Sequence, residues 1–182
     1  KLCNVDPDFL IVRSKDTSIK TQLNLEYEQK PFEYGSCWFQ GREMNLDEVK
    51  AYALLIYLSA GDVFLGDDLG TLNNTGINLI KKVLETPLAN SAIPVDLFAG
   101  HDTLPGKWVA EEKDFWFIGI FNWEEDTANI SVDLQELGIK EYTSIESFWE
   151  KKKIFPGEKI INISLKPRSC EGLRINKLSS GV

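Results

Sequence analysis

Histidine is nearly absent from this 182-residue chain, His101 being the only one. Cysteine is sparse too: Cys3, Cys37 and Cys170 lie far apart and form no Cys-x-x-Cys pair. A metal site built from nitrogen and sulfur donors therefore lacks its ligands, and none is expected. Three thiols allow at most one disulfide, and their spacing does not assign it. Basic residues are outnumbered, with 20 Lys and Arg against 28 Asp and Glu, for a formal charge of -8. Nucleic-acid binding needs a Lys/Arg-rich face, so the balance argues against that partner. The one basic run, Lys151-Lys152-Lys153, follows Glu150 and reads as a solvated turn. No apolar run approaches the roughly 20 residues of a membrane helix. Internal repeats and low-complexity segments are also missing. A secretory leader is not visible, but a chain opening Lys1-Leu2-Cys3 is expected to have lost its native start, which leaves the compartment open.

What remains is ordinary globular composition, 43% hydrophobic with five Trp, sufficient for one or two domains. Residues 1–88 alternate strand-like and helix-like patterns. Leu2 to Asn4 reads as a strand running into Asp6-Pro7-Asp8, and Phe9 to Val12 continues in extended form because Pro7 opposes a helix there. A long polar stretch follows, from Arg13 to about Met44. Asn45, with Glu48 three residues on, is a helix start signal. Leu46, Val49, Ala53, Ile56 and Tyr57 share a face, Leu54, Leu55 and Leu58 widen it, and Gly61 is expected to end the helix. Val63-Phe64-Leu65 reads as a buried parallel strand, and a second helix is expected from Leu72 to Glu85. Strand, helix, strand, helix is the βαβα signature.

Pro87 to Pro94 marks the expected boundary. Beyond it, short strands are expected at 95–98, 108–110, 115–122, 128–134, 142–149, 159–165 and 172–175, separated by turn signals such as Pro105-Gly106 and Pro156-Gly157. That spacing suggests an antiparallel β-sandwich over residues 89–182.

Five segments carry a family resemblance in their order: Val5-Asp6-Pro7-Asp8, Gly66-Asp67-Asp68-Leu69, and the later Pro94-to-Phe98, Phe121-Asn122-Trp123 and Phe148-Trp149. Together they resemble the C-terminal end of α-galactosidase-like (melibiase-like) retaining glycoside hydrolases. The family's Asn-Asp-Pro-Asp motif is met here with Val5 in its first position. The resemblance implies that residues 1–88 are the last two βα units of a (β/α)8 barrel, followed by the β-sandwich. About 88 residues cannot close a barrel that needs about 250. It also implies that both catalytic carboxylates lie upstream, so the chain holds no catalytic residue of its own and should be inactive alone. Asp8, Asp6 and Asp68 would line the substrate site, and the parent would act on terminal α-linked sugars without a metal or organic cofactor.

Retaining hydrolysis uses two carboxyl groups about 5–5.5 Å apart, carried at the C-terminal ends of barrel strands. Simpler roles stand beside these. Asp6 and Asp8 can act as turn residues, and Asp67 and Asp68 can cap the next helix. Cys37-Trp38-Phe39 can anchor its loop or stack on a sugar, and the later Trp residues fit a core. Asn73, Asn129 and Asn162 open Asn-x-Ser/Thr sequons, which matter only where the source glycosylates. The alternative to a hydrolase fragment is a non-catalytic module that binds carbohydrate or protein. A barrel remnant would expose strand edges and apolar faces, so self-association is expected of the first reading.

Overall fold

The first helix begins where the Asn45 and Glu48 pair demands in the computed structural model, which describes residues 7–19, 44–97, 99, 104–150, 153–154 and 159–178. Asn45 Oδ1 accepts the Glu48 N–H at 3.0 Å, and the Glu48 carboxylate accepts the Asn45 N–H at 2.8 Å. These bonds satisfy donors that helix geometry leaves open. Helix α1 (Leu46–Ser59) buries Val49, Ala51, Ala53, Leu54, Ile56, Tyr57 and Leu58, so it packs on more than one side. Its end differs from expectation. Ala60, not Gly61, takes the left-handed conformation at φ 49°, its N–H donating to Tyr57 O, while the Gly61 N–H is taken by Ser59 Oγ.

Helix α2 (Asn74–Glu85) starts two residues later than its apolar pattern suggests. Leu69–Thr71 form a 3-10 turn and Leu72 bridges to Ser18, so Asn73 becomes the cap, accepting the Thr75 and Gly76 N–H groups. Strands β1 (Phe9–Leu10) and β2 (Phe64–Leu65) pair in parallel, Phe9 beside Phe64.

The rest of the chain is antiparallel. Strands β3 (Ile93–Pro94), β4 (Lys107–Glu111), β5 (Phe115–Asn122), β7 (Ser144–Ser147), β8 (Lys153–Ile154) and β10 (Ser169–Asn176) form one six-stranded sheet, ordered β3-β4-β5-β10-β7-β8. Strands β6 (Ala128–Asp133) and β9 (Ile160–Leu165) form a second sheet of two strands. The strand expected at 95–98 sits earlier, at Ile93–Pro94, and the one expected at 142–149 shortens to Ser144–Ser147. The fold is therefore mixed α/β with mostly antiparallel sheets.

Alternation along β5 creates two cores. Phe117 and Phe121 join α1, α2, Leu10, Val12, Leu88 and Phe148 in one cluster. Ile118 and Ile120 join Val132, Ile145, Ile161, Leu173 and Ile175 in the other, between the two antiparallel sheets. The first cluster draws residues from both sides of the Pro87-to-Pro94 segment. Its centre is a glycine pair: Gly119 on β5 faces Gly172 on β10 across the ladder. A methyl group at Gly119 would sit 2.4 Å from Leu58 Cδ1, and one at Gly172 would sit 2.8 Å from Phe148 Cβ and 2.9 Å from Phe117 Cζ. The missing side chains let α1 lie close on the sheet. Tyr57, Phe117 and Phe148 fill the space beside it, with ring centroids 4.7–5.3 Å apart.

Candidate functional site

The exits of the parallel pair are held by one carboxylate. Asp67 Oδ2 accepts the backbone N–H of Val12 at 2.6 Å and of Arg13 at 3.2 Å, and its Oδ1 meets Arg13 Nη1 at 3.1 Å. The Asp67 side chain is only 1% exposed, whereas that of Arg13 is 39% exposed. A buried carboxylate with this many donors is satisfied and locks the segment after β1 to the segment after β2. Between the strands, the Gly66 N–H donates to Leu10 O at 3.0 Å.

On the other side of β1, the Tyr52 hydroxyl of α1 donates to Phe9 O at 2.5 Å. The phenol pKa is pushed above its ordinary value by burial first, then by the nearby charges of Asp8 and Asp67. Asp8 is exposed and lies immediately before β1, with a left-handed backbone at φ 76°, and its Oδ1 accepts the Phe9 N–H at 2.8 Å. Phe9 and Phe64 are 51% and 50% exposed and meet edge to face, with centroids 6.2 Å apart.

Tyr52 thus has two carboxylates around it, Asp8 and Asp67. Asp68 is exposed and caps the 3-10 turn, accepting the Gly70 N–H at 2.9 Å, so the capping role read for it is present. By register, Asp8 and Asp68 stand beyond opposite ends of the paired residues. Asp6, the Leu2-to-Asn4 strand, Cys37-Trp38-Phe39 and His101 lie outside the described residues. Asp67 reads from the sequence as a cap beside Asp68, but its carboxylate is taken by Val12 and Arg13 instead, and Tyr52 is not marked by the sequence at all. An Asp just past one strand and an Arg just past its parallel neighbour is a signal that could have found the first. Nothing local marks the second, whose partner is a backbone carbonyl.

The later Trp residues use their polar atoms internally. Trp108 and Trp123 both donate their indole N–H to Pro105 O, at 3.1 and 2.9 Å, and Trp149 donates to Cys170 Sγ. Phe121 and Trp123 stack at 4.7 Å. Burial raises the Cys170 thiol pKa to about 12. Among the described residues, no group of three His, Cys, Asp or Glu could hold a metal ion, and no helix is long and apolar enough to cross a membrane.

Solved structures share this fold. A candidate alpha-galactosidase/melibiase from Bacteroides fragilis superposes with a TM-score of 0.66 at 15% identity, over 94% of this chain and 34% of its own. In fold, the chain is similar to the α-galactosidases. A second Bacteroides fragilis candidate alpha-galactosidase gives 0.62 at 16% identity, over 96% of this chain and 33% of its own. A GH27 β-L-arabinopyranosidase from Geobacillus stearothermophilus gives 0.63 at 17% identity, over 79% of this chain and 34% of its own. The alpha-galactosidase of Saccharomyces cerevisiae, which the chain also matches, has been solved with raffinose. This chain spans about a third of the length of the structures it matches first. No protein-family model matches the sequence, and no curated protein matches it.

Proposed function

We propose that this chain is the C-terminal part of a retaining glycoside hydrolase that acts on terminal α-linked sugars. Residues 1–88 supply the last two βα units of its (β/α)8 barrel, and residues 89–182 supply an antiparallel β-sandwich. The observation that carries this reading is the β1–β2 pair. Two short parallel strands, backed by α1, leave Phe9 and Phe64 half-exposed and have backbone edges at which further barrel strands could pair. The fold likeness to α-galactosidases over nearly the whole chain supports it.

In this reading Asp8, Asp6 and Asp68 line the substrate site, with Asp8 before the β1–β2 pair and Asp68 beyond its other end. Asp8 has the strongest support, because it is exposed beside β1. Asp67 has the weakest claim to any chemistry, since it is buried and committed to Arg13 and two backbone donors. Double displacement needs a nucleophile and an acid/base carboxyl about 5–5.5 Å apart. Both belong to barrel strands outside this chain, so the fragment contributes a wall of the site and not the reacting groups.

The test is hydrolysis of a chromogenic α-galactoside by the purified 182-residue chain. No turnover above buffer is expected. Turnover abolished by Asp8→Asn would overturn the assignment of the catalytic pair to another part of the enzyme. Light scattering supplies a second check. The open apolar face should drive association, and a monodisperse monomer would count against a barrel remnant.

A further inference from the structure

The parallel pair has a direction, and its two ends differ in what they offer a ligand. Strands β1 and β2 both run toward Arg13 and Asp67, so these residues and Asp68 stand at the C-terminal exits. That is the end at which barrel enzymes gather the groups that meet substrate. Asp8 stands at the opposite end, so a group at the exits is a separate point of contact along the substrate.

At the exits, Arg13 has more donors than its bridge to Asp67 needs. Nη1 alone makes the bridge, to Asp67 Oδ1 at 3.1 Å and to Gly66 O at 3.2 Å. Among the described residues, Nε and Nη2 meet no acceptor, and the side chain is 39% exposed. Those two nitrogens share one edge of the planar guanidinium, so their N–H bonds point out side by side. The edge is also held still. Buried Asp67 grips the Arg13 backbone N–H as well as the guanidinium. The next residue, Ser14, is buried too, with its hydroxyl bonded to that of Thr17 at 2.9 Å. A donor pair fixed before the ligand arrives loses little freedom on binding it.

Charge selects the class of ligand. Asp67 neutralises Arg13 within the bridge, and Asp68, exposed and next in the chain, adds a negative charge. An anionic group gains little there. A neutral sugar, by contrast, can offer hydroxyl oxygens to the arginine and hydroxyl protons to the carboxylate. We propose that Arg13 is a sugar-binding residue, whose Nε and Nη2 edge takes two neighbouring hydroxyl oxygens of a neutral sugar beside Asp68. The proposal rests on the reading of this chain as part of a sugar hydrolase, whereas the anchored guanidinium with its open edge does not.

The test follows the Arg13 Nε–H resonance of the isotope-labelled chain by NMR during a galactose titration, with the backbone amides as a second record. A saturable shift of the Arg13 Nε–H and of the Asp68 amide is the expected result. Arg13→Lys keeps a cation for Asp67 but has no planar donor edge, and it should weaken that response by about tenfold. If the Nε–H stays unmoved while amides beside Asp8 respond, the inference is overturned and the sugar reading stands. If no amide and no side chain responds, both fall. An Arg13→Lys chain that is less stable to urea but binds galactose as before would also overturn the inference, because Arg13 would then be a structural bridge only. Should that variant fail to fold, the wild-type titration decides alone, since the Nε–H is assigned through bonds from the Arg13 backbone.

Discussion

Filling the glycine pair under α1 should unseat the helix. Gly172→Ala puts a methyl group 2.8 Å from Phe148 Cβ and 2.9 Å from Phe117 Cζ. The first is fixed by backbone, and the second belongs to a ring held between Tyr57 and Phe148, so neither yields without moving its strand or helix. Overpacking of this kind typically costs about 1–3 kcal/mol. Against it stands a gain of about 0.4–1 kcal/mol, because alanine has less freedom to lose than glycine on folding. A net loss of about 1–2 kcal/mol follows, or about 2–8 °C in Tm for a chain of this size. Gly119→Ala meets Leu58 Cδ1 at 2.4 Å, the far end of a flexible side chain that can rotate, so its loss should be the smaller. The two contacts share α1 and should not add. Chemical and thermal unfolding of both single variants and the double variant would measure this. If Gly172→Ala proves neutral or stabilising, α1 does not lie on the sheet at this pair, and the shared core is misassigned.

Four further outcomes follow from particular residues. Ala60→Gly should stabilise the chain by about 0.5–1 kcal/mol in urea unfolding, because Ala60 sits at φ 49° where glycine carries no steric penalty. Asp67→Ala should cost about 2–4 kcal/mol, since it leaves two backbone N–H groups without their acceptor and the Arg13 guanidinium with only the Gly66 carbonyl. Glu171 has its pKa raised by burial, despite hydrogen bonds from Gly172 and Ser147. A raised carboxyl pKa means that the folded chain binds the proton more tightly than the unfolded chain. The contribution is thus fully present below the unfolded value of about 4.3 and is lost as pH rises through the folded one, and Glu171→Gln should flatten that fall in unfolding curves. Cys170, its thiol pKa pushed up to about 12 by burial, should resist a thiol reagent at pH 8 in the native chain and react on unfolding.

The sequence carried the parts of this fold that local chemistry dictates. The Asn45 and Glu48 spacing marked the start of α1 because both cap bonds lie within four residues. Apolar, strand-like runs located β5 at its observed bounds and β6 and β9 to within one residue at one end. Long-range chemistry was not legible. The Gly119–Gly172 pair depends on the β5–β10 register, and the Asp67–Arg13 bridge depends on parallel pairing of strands 55 residues apart. Of the candidate site, Asp8 and Asp68 were visible as carboxylates near strand ends. Tyr52, by contrast, looked like one more residue of an apolar helix, because its partner is a carbonyl of another element.

The central claim is that the sugar is met beside β1 and not on the antiparallel sheets. Chemical-shift mapping of the chain with galactose tests it most directly. The account expects the perturbed amides to gather around Asp8, Phe9 and Tyr52. Perturbation confined to the strands beyond residue 89 would contradict it and favour a carbohydrate-binding module.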